Sequence, residues 1–576
     1  MINRELASIF GQIADLLEIT GGDPFRVSAY RRAARTIEGL AEDAADLLKA
    51  GTLEEVPGIG KSTVEKIRQY VAEGKIDLHQ ELLASVPKGL PALLQIPGLG
   101  PKKVQAAWKK LNVQDLEDLK KSIASGQLAA LPGFGAKSVD NIRAGIEFLE
   151  RSAGRTPLGV AWPVARTLAE ALKAAAKVRR VEVTGSLRRW CETIGDVDLL
   201  VAGTEGSRII RTFTSLPMVR EVRAAGETKG SVLVATPEGT DVQVDVRVVP
   251  RESFGAALQY FTGSKEHNVR LRELAIRKKW KLNEYGLFDG DKQIAGEDEA
   301  GIYRKLGLPL IPPELREDRG EIDNAARLPK LLEDGDIRGD LHMHSTYSDG
   351  RNTIEEMAEA AQALGYEYIA ICDHSRSETI ANGMPVERLF RQIEEIRRLN
   401  KTLKGITVLA GCECDILAGG KLDYPDDVLA QLDLVIASVH TGLGQDRKTV
   451  TARTIKAMQN PYVAVIGHPT GRLLGRREAM DIDIDAVIKA AVETHTALEL
   501  NASWQRLDLK DTHARQAVEA GAVLALGTDA HSTEQLETMA YGVRTARRGW
   551  VAKDGVLNTR TLAALRKFIE TKRRKA

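Results

Sequence analysis

The sequence predicts a chain of several domains: a helical amino-terminal region, a central α/β domain and a carboxyl-terminal barrel built from seven β/α units. Three observations carry this prediction. A Pro-Gly-x-Gly element occurs three times among helical stretches, and an Asp-x-Asp pair follows a Gly-Ser turn in a region of alternating apolar strands. Apolar runs in the last part of the chain end in His, Glu or Asp. At 576 residues the chain is long enough for several separate cores.

Composition and charge narrow the class of protein. The hydrophobic fraction of 43% and the charged fraction of 28% are typical of a soluble globular protein. The net charge of +1 means that any contact with nucleic acid must come from local patches. The four cysteines form no Cys-x-x-Cys pair, which favours a reducing compartment. Neither a signal-peptide core nor a membrane-spanning apolar run is found, so we expect a cytoplasmic protein with no membrane partner.

The first 50 residues predict amphipathic helices, because apolar residues recur at helical spacing. The repeated element follows, as Val56-Pro-Gly-Ile-Gly60, Ile96-Pro-Gly-Leu-Gly100 and Leu131-Pro-Gly-Phe-Gly135. Its proline ends one helix, its glycines permit positive φ, and the next helix offers free N–H groups at its positive end. Three copies predict helix–hairpin–helix binding to DNA phosphates. The predicted DNA contacts are Gly58, Gly60, Gly98, Gly100, Gly133 and Gly135.

The central domain is predicted around residues 184–200. A Gly-Ser turn and two arginines, Arg188 and Arg189, precede Asp196 and Asp198, which lie one residue apart before an apolar run. Alternate residues of a strand face one way, so both carboxylates share a face. Two like charges this close repel unless a cation lies between them, and Mg²⁺ usually takes one or two carboxylates plus substrate phosphates. The pattern indicates two-metal nucleotidyl transfer.

A third carboxylate favours this interpretation over a surface turn with solvated acids. Asp245 lies inside the alternating run 242–249, where a lone Asp among valines is costly to bury unless it is paired or binds a metal. Asp241 is the rival, but it lies at the entry of the strand, where a solvated acid is expected. We therefore predict that the catalytic metal ligands are Asp196, Asp198 and Asp245.

This region resembles the palm of the family X DNA polymerases, the polymerase beta group. The resemblance rests on Gly185-Ser186-x-Arg188-Arg189 with Gly195-Asp196-x-Asp198, and on two later segments, Tyr260-Phe-Thr-Gly-Ser264 and Asn283-Glu-Tyr-Gly286. It implies that the three acids bind two Mg²⁺ or Mn²⁺ ions, and that the third acid helps to activate the primer 3′-hydroxyl. It also implies contacts with the triphosphate, the sugar and the minor groove of the new base pair. The implied nucleotide-binding residues are Gly185, Ser186, Arg189, Tyr260, Phe261, Gly263, Asn268 and Arg272.

The first hairpin carries a further hypothesis from the same resemblance. In the polymerase beta group a lysine on its second helix forms a Schiff base with an abasic sugar, and that position is Lys66 here. A lysine amine must be partly neutral to attack, so neighbours must lower its pKa. Ser62 stands where the better-known enzymes have a second lysine. An exposed helical lysine without lyase activity is the alternative.

The predicted domain boundaries follow these motifs. β runs at 178–183, 197–201, 231–235 and 242–249 alternate with helices and define the palm. Prolines and many charges between about residues 312 and 336 predict a linker. The predicted domains are a lyase-like helical domain (1–85), a helix–hairpin–helix fingers subdomain (86–150), the palm (151–259), a closing subdomain (260–316), the linker (317–336) and the barrel (337–576).

From residue 337 onwards the apolar runs end in candidate metal ligands. His342 and His344 end the first run on one strand face. Functional residues of (β/α) barrels lie at the carboxyl ends of the strands, so these groups should converge. N and O ligands suit Zn, Mn or Fe, and we expect Cys412 and Cys414 to pack in the core. The run 497–501 offers only Asn501. The candidate ligands are His342, His344, Asp349, His374, Glu413, His440, His468, Asp529 and His531.

This pattern resembles the polymerase and histidinol phosphatase (PHP) superfamily, a barrel with up to three metals. The resemblance implies that Glu413 bridges two ions, and that the chemistry is hydrolysis of a phosphoester. It assigns His342, His344 and Asp529 to the first ion, His440 and His468 to the second, and Asp349, His374 and His531 to the third. The arginines that could hold DNA phosphates, unless they are merely solvated, are Arg472, Arg476 and Arg506.

Both resemblances together predict a bacterial or archaeal-type family X DNA polymerase fused to a catalytic PHP domain. It would fill short gaps in base excision repair with template direction, and its PHP domain would be a metal-dependent 3′-5′ exonuclease, with abasic-site endonuclease or 3′-phosphatase activity left open. The predicted partners are gapped or primer-template DNA and deoxynucleoside triphosphates, and a monomer is expected. One alternative is a non-templated nucleotidyltransferase. The other is a PHP domain that serves as a structural or DNA-binding module.

Overall fold

The amino-terminal part of the chain is built from helices that pack around the hairpins. The computed structural model describes residues 2–38, 40, 42–56, 58–152, 154–236 and 240–575, and the chain divides into two compact units, the first made mainly of residues 1–154. None of the helices in these ranges is long and apolar enough to span a membrane. The helices of the first unit are α1 (Asn3–Thr20), α2 (Pro24–Glu38), α3 (Ala44–Ala50), α4 (Lys61–Glu73), α5 (Asp77–Ala84), α6 (Pro101–Leu111), α7 (Leu116–Ala124) and α8 (Ala136–Ser152).

The three hairpins have the geometry that the sequence predicts. Their first glycines have positive φ, 94° at Gly58, 82° at Gly98 and 87° at Gly133, and a side chain is strained in that region. The residue between the glycines is buried in each case, as expected of an apolar anchor (Ile59, Leu99 and Phe134). The second glycines immediately precede α4, α6 and α8. Pro57 of the first hairpin lies outside the described residues.

A five-stranded mixed sheet forms the palm. Its order is β2-β4-β7-β6-β5, with β4 and β7 parallel at its centre and the other pairs antiparallel. Helices α9 (Leu158–Ala176), α10 (Gly185–Arg188) and α11 (Gly206–Thr214) accompany the sheet, and a short pair joins β1 to β3. The strands are β1 (Thr156–Pro157), β2 (Val181–Val183), β3 (Thr193–Ile194), β4 (Val197–Ala202), β5 (Val219–Ala225), β6 (Lys229–Ala235) and β7 (Asp241–Val249).

Two details of this sheet differ from the sequence prediction. The first strand starts at Val181 rather than at residue 178. The edge strand β5 was not predicted, because all but its first residue are exposed and its side chains show no alternation of apolar and polar residues.

The closing subdomain consists of three helices and a small antiparallel sheet of order β10-β9-β8. Its own core contains Leu271, Leu287 and Ile302. Its elements are α12 (Phe254–Thr262), α13 (Lys265–Arg277), β8 (Trp280–Asn283), β9 (Gly286–Asp289), β10 (Lys292–Ala295) and α14 (Glu299–Leu306).

The segment predicted as a linker is packed rather than solvated. Ile322 and Leu332 are buried, and the fully buried Glu321 contacts His267 at 2.6 Å. Just before it, the fully buried Arg316 pairs with Glu299 at 2.6 Å. Two of the charges that suggested a linker, Arg316 and Glu321, are therefore paired inside the protein, and no sequence pattern shows this pairing. Most of the other charges in the segment are exposed.

Seven parallel strands form the carboxyl-terminal sheet in chain order from β11 to β17, and this confirms the predicted barrel. A parallel bridge between Met343 and Ala530 brings the first and last strands together, so the barrel is nearly closed. The strands are β11 (Gly339–Met343), β12 (Tyr368–Ile371), β13 (Thr407–Asp415), β14 (Leu434–Ser438), β15 (Val463–Ile466), β16 (Ala497–Asn501) and β17 (Leu524–Gly527).

Helices cover the barrel, and a loop between two of its elements contacts the palm. They are α15 (Ile354–Ala363), α16 (Val386–Leu399), α17 (Asp426–Leu429), α18 (Arg447–Met458), α19 (Ile484–Thr494), α20 (Asp511–Glu519), α21 (Met539–Arg548) and α22 (Leu562–Lys575).

The loop after β16 inserts Leu507 into the palm core, where it is 1% exposed. In the same loop Trp504 lies so close to Gly159 that a Cβ there would stand 2.1 Å from the Cγ of Trp504.

Candidate metal centres and nucleotide cleft

The three acids predicted in the palm come together on neighbouring strands. β4 and β7 run parallel, and Asp198 stands opposite Asp245 in their register. One carboxylate oxygen from each of Asp196, Asp198 and Asp245 lies within 4.8 Å of the others. Gly185 has a φ of 66°, and a Cβ at this turn would stand 2.5 Å from Oδ2 of Asp198. Glycine is therefore required beside the acids.

Electrostatic repulsion between its carboxylates makes this cluster a candidate cation site. Burial together with the charges of Asp196 and Asp245 raises the pKa of Asp198 to about 7. The Nζ atom of Lys229 lies 3.4 Å from Oδ2 of Asp245, and Ser231 donates a 2.6 Å hydrogen bond to Oδ1. Lys229 can offset one of three negative charges, so the oxygen-only cluster fits divalent cations such as Mg²⁺.

A cleft gathers most of the predicted nucleotide-binding residues. Asn268 is held in place by two hydrogen bonds, because it donates to the Tyr260 carbonyl at 2.7 Å and accepts from Gln259 at 2.6 Å. Gly185 and Ser186, the other two predicted residues, lie in α10. The predicted residues that line the cleft are Arg189, Tyr260, Phe261, Gly263, Asn268 and Arg272.

The side chain of Arg189 lines this cleft and is already hydrogen-bonded to other groups of the protein. Its Nε atom lies 3.0 Å from Oε1 of Glu317, and its guanidinium donates a 2.6 Å hydrogen bond to the Thr262 carbonyl. Glu317 also lines the cleft, and the sequence did not single it out. Glu317 lies in a segment that the sequence predicts to be a linker, and there it cannot be told from an ordinary solvated acid.

The first unit keeps its hairpin backbone accessible. No described atom lies within 4 Å of a Cβ built on Gly60, Gly100 or Gly135, as a site for a phosphate at a helix start requires. The Nζ atom of Lys66 donates a 2.9 Å hydrogen bond to Ser62 and lies 5.6 Å from the centroid of the Tyr30 ring. The lyase role of Lys66 stays a prediction.

The nine candidate ligands of the barrel converge, and Glu413 lies at their centre. Its Oε2 atom is 3.1 Å from Nδ1 of His374 and 3.4 Å from Nε2 of His342. Its Oε1 atom is 2.9 Å from Nε2 of His468 and 3.2 Å from Nε2 of His440. Each carboxylate oxygen of Glu413 thus faces its own pair of imidazoles, as a bridging ligand would.

Four overlapping groups in the barrel could each hold an ion; three of them contain predicted ligands only, and the fourth is Glu378, Asp415 and His440. One combines His342, His344, Glu413 and Asp529, which is the first set implied by the PHP resemblance. A second consists of His374, Glu413 and His440. The third combines His344, Asp349, His374 and His531, so that His344 and His374 each belong to two groups.

Protonation and hydrogen bonding in the barrel both indicate a need for cations. Burial opposes the charged form of Glu413, but His440, His342 and His374 hold its pKa well below its usual range. Burial also opposes protonation of His440, but Glu413 and Asp415 raise its pKa to about 10. Among the described residues, Nε2 of His342 and Nδ1 of both His344 and His374 are buried without a hydrogen-bond partner. Orphaned imidazole nitrogens facing carboxylates fit Zn, Mn or Fe.

Two carboxylates that sequence reasoning missed orient these histidines. Glu499 accepts from Nδ1 of His342 at 2.6 Å, and Asp415 lies 2.5 Å from Nδ1 of His440. Each contact fixes the ring so that Nε2 faces Glu413. Glu499 lies two residues before Asn501 on the same strand face, so the alternation of β16 was a usable signal. Cys412 and Cys414 pack in the hydrophobic core, as expected.

The three arginines proposed as phosphate contacts differ. Arg506 has its Nε 3.3 Å from Oδ2 of Asp529, and in the described part of the chain its buried NH1 atom has no hydrogen-bond partner. Arg472 donates to the carbonyls of Arg506 and Leu507, and it pairs with Glu192 of the palm at 2.8 Å. Arg476 is exposed. Arg506 is thus the arginine that contacts a candidate ligand directly.

Comparison with known proteins finds the same organisation. The chain matches family models described as Helix-hairpin-helix domain (residues 1–76), SAM-like Helix-hairpin-helix tandem (90–147), DNA polymerase beta thumb (257–317) and PHP domain (340–503). It is 40% identical over 575 residues to a DNA polymerase/3′-5′ exonuclease PolX of Bacillus subtilis, covering 99% of this chain and 100% of that protein. A probable phosphatase of a Thermoanaerobacter species is 30% identical over 248 residues, which is 41% of this chain and 96% of that protein.

Replacing Asp198 tests the repulsion in the palm cluster. A carboxyl with a raised pKa binds more protons in the folded than in the unfolded protein, so folding stability falls as pH rises from its ordinary value near 4 to about 7. With a chelator present, Asp198→Asn should therefore be more stable than wild type at pH 8 by about 1–4 kcal/mol, and the difference should shrink at pH 5. Urea denaturation at both pH values measures it.

Asp241→Asn is the control for this test, because Asp241 opens β7 but is exposed and pairs with Arg220 at 2.9 Å. Losing an exposed ion pair should lower stability by less than about 1 kcal/mol. An Asp198→Asn protein that is no more stable than wild type at pH 8 would contradict the account of the cluster.

Proposed function

This chain belongs to the family X DNA polymerases that carry a PHP domain, and on that premise we propose that it fills short gaps in DNA, extending a primer at the palm and trimming its 3′ end at the barrel. It is a DNA polymerase and 3′-5′ exonuclease by family membership. The observation that carries the proposal is the presence of two separate clusters of candidate ligands, three acids in the palm and nine residues around Glu413 in the barrel. Gapped or primer-template DNA and deoxynucleoside triphosphates are its substrates.

At the palm, the chain's own residues bind and orient the reactants. Bound Mg²⁺ or Mn²⁺ would stabilise the charge that develops on the transferred phosphoryl group. Asp196, Asp198 and Asp245 would hold the two cations, and Asp245 would help to activate the primer 3′-hydroxyl. Ser231 fixes the Asp245 carboxylate through its 2.6 Å hydrogen bond. Arg189 and Ser186 hold the triphosphate, and the cleft residues Tyr260, Phe261, Gly263, Asn268 and Arg272 contact the sugar and the new base pair.

At the barrel, buried histidines and carboxylates would bind the metal ions, and an arginine would bind the substrate phosphate. Up to three Zn, Mn or Fe ions would polarise the phosphodiester and lower the pKa of the attacking water. Glu499 and Asp415 keep His342 and His440 in the tautomer that turns Nε2 towards Glu413. Arg506 offers its unpartnered NH1 to the scissile phosphate of the 3′-terminal nucleotide.

The hairpins support the same function from the first unit. Gly60, Gly100 and Gly135 precede helix starts whose backbone N–H groups can bind phosphates irrespective of base sequence. Such contacts suit a protein that must act at gaps in any sequence, and they explain DNA binding at a net charge of only +1.

The palm assignment predicts that Asp245→Asn lowers the rate of primer extension at least about 100-fold, because the charge of the transition state is no longer stabilised. The assay is extension of a labelled primer on a one-nucleotide gap, with each nucleotide supplied alone. Asp241→Asn, a change on the same strand, should extend like wild type. Wild-type incorporation that ignores the template base would instead favour a non-templated nucleotidyltransferase.

The barrel assignment predicts that Glu413→Gln loses both bound metal and primer shortening, the latter by at least about 100-fold, because one neutral amide cannot bridge two cations. Metal content by mass spectrometry and shortening of the labelled primer without nucleotides measure the two effects. Glu519→Gln is the control, since Glu519 is exposed and pairs with Arg515. Shortening that survives the loss of metal would leave the barrel a structural module.

A further inference from the structure

Glu317 is a carboxylate shared between two arginines from different domains. Its Oε1 atom lies 3.0 Å from Nε of Arg189 in the palm and 2.9 Å from NH1 of Arg548 at the end of α21 in the barrel domain. Glu317 is 15% exposed and Arg548 is 8% exposed. Although burial works against its charge, Arg548 and Arg189 hold the pKa of Glu317 below its usual value. A charged Glu317 thus needs at least one of them.

Arg189 cannot bind a triphosphate with the donors that it gives to Glu317. Its Nε points to Glu317, and NH1 points to the Thr262 carbonyl. A bidentate grip on phosphate uses two donors on one side of the guanidinium. A grip on the triphosphate by Nε and NH2, the side of the guanidinium that now faces Glu317, takes Nε away from Glu317 and leaves that carboxylate with Arg548.

Arg548 is fixed independently of Glu317. It donates a 2.7 Å hydrogen bond to the backbone carbonyl of Arg189, and its NH2 atom lies 2.9 Å from Oδ2 of Asp511. Asp511 in turn pairs with Arg319 at 2.8 Å. Arg548 is thus held at this place whether or not the Arg189 side chain turns away.

We propose that Arg548 of the barrel domain is a positioning residue for nucleotide binding at the palm. It stays paired with the Glu317 carboxylate when the Arg189 side chain turns to the triphosphate. The proposal rests on the proposed role of Arg189 in nucleotide binding. Without Arg548, release of Arg189 would leave the largely buried charge of Glu317 with neither arginine beside it, so nucleotide binding would be penalised. The chemical step itself would be unaffected, because Arg548 contacts none of the three acids and is not itself a lining residue of the cleft.

The test is steady-state single-nucleotide extension on gapped DNA, with the KM for the nucleotide and kcat determined separately. Arg548→Met should raise KM about tenfold and change kcat less than about threefold. Arg548→Lys keeps the charge beside Glu317 and should restore most of the affinity. Primer shortening by the barrel, assayed without nucleotides, should stay near wild type in both variants and shows that the protein is folded.

Arg547→Met is the matched control. Arg547 precedes Arg548 on the same helix, is 15% exposed, and pairs with Glu314 at 2.7 Å without touching Glu317 or Arg189. Its KM should stay within about twofold of wild type. A KM that rises equally in both variants, or in neither, overturns the proposal.

A double variant shows whether the effect passes through Glu317. Glu317→Gln removes the charge that competes for Arg189, so adding Arg548→Met to it should leave KM unchanged. This double variant also preserves the balance of charge, and it decides the matter if Arg548→Met alone does not fold. A tenfold rise in KM in the Glu317→Gln background overturns the proposal.

Arg189→Met separates this inference from the proposed function. A large rise in KM for Arg189→Met with no change for Arg548→Met contradicts only the positioning role of Arg548. An unchanged KM for Arg189→Met would show that Arg189 does not bind the nucleotide, and both statements would then fall.

Discussion

Carboxylates held close together need positive charge, and the two clusters of this protein are arranged around that need. In the palm, the parallel register of β4 and β7 sets Asp198 opposite Asp245, and Lys229 offsets part of the resulting charge. In the barrel, seven strands end at one face, and Glu413 meets imidazoles on both of its oxygens. Divalent cations would satisfy both demands, and the fold has already brought the candidate ligands together. Ser231, Glu499 and Asp415 then serve to hold those ligands in orientation.

The palm and the barrel domain are packed as parts of one body. Leu507 of the barrel completes the palm core, and Trp504 occupies the space that a side chain at residue 159 would need. Arg472 links the loop that carries Arg506 to Glu192 of the palm. Candidate site residues of one domain are therefore supported by contacts from the other. The same interface places Arg548 beside Arg189.

How much the sequence could predict depends on the range of the interaction concerned. Ligands at strand ends, glycines at the hairpins and Asp245 within an alternating strand were all predicted, because each depends on local periodicity. Glu499 was not predicted although the alternation of β16 places it on the same face as Asn501, since that spacing does not tell a carboxylate that orients a histidine from a metal ligand or a buried acid. Strand β5 was not predicted, because its residues are largely exposed. The buried pairs Glu321–His267 and Glu317–Arg548 join residues 54 and 231 positions apart, and no local pattern marks such partners.

The measurement that tests the central claim most directly is complementation between two inactive sites. Asp245→Ala and His344→Ala proteins would be mixed in equal amounts with a labelled gapped DNA, Mn²⁺ and nucleotides, and compared with the same total amount of wild type. Two independent sites predict that the mixture both extends and, without nucleotides, shortens the primer at about half the wild-type rate. A mixture that lacks either activity would show that the two clusters are not separate active sites.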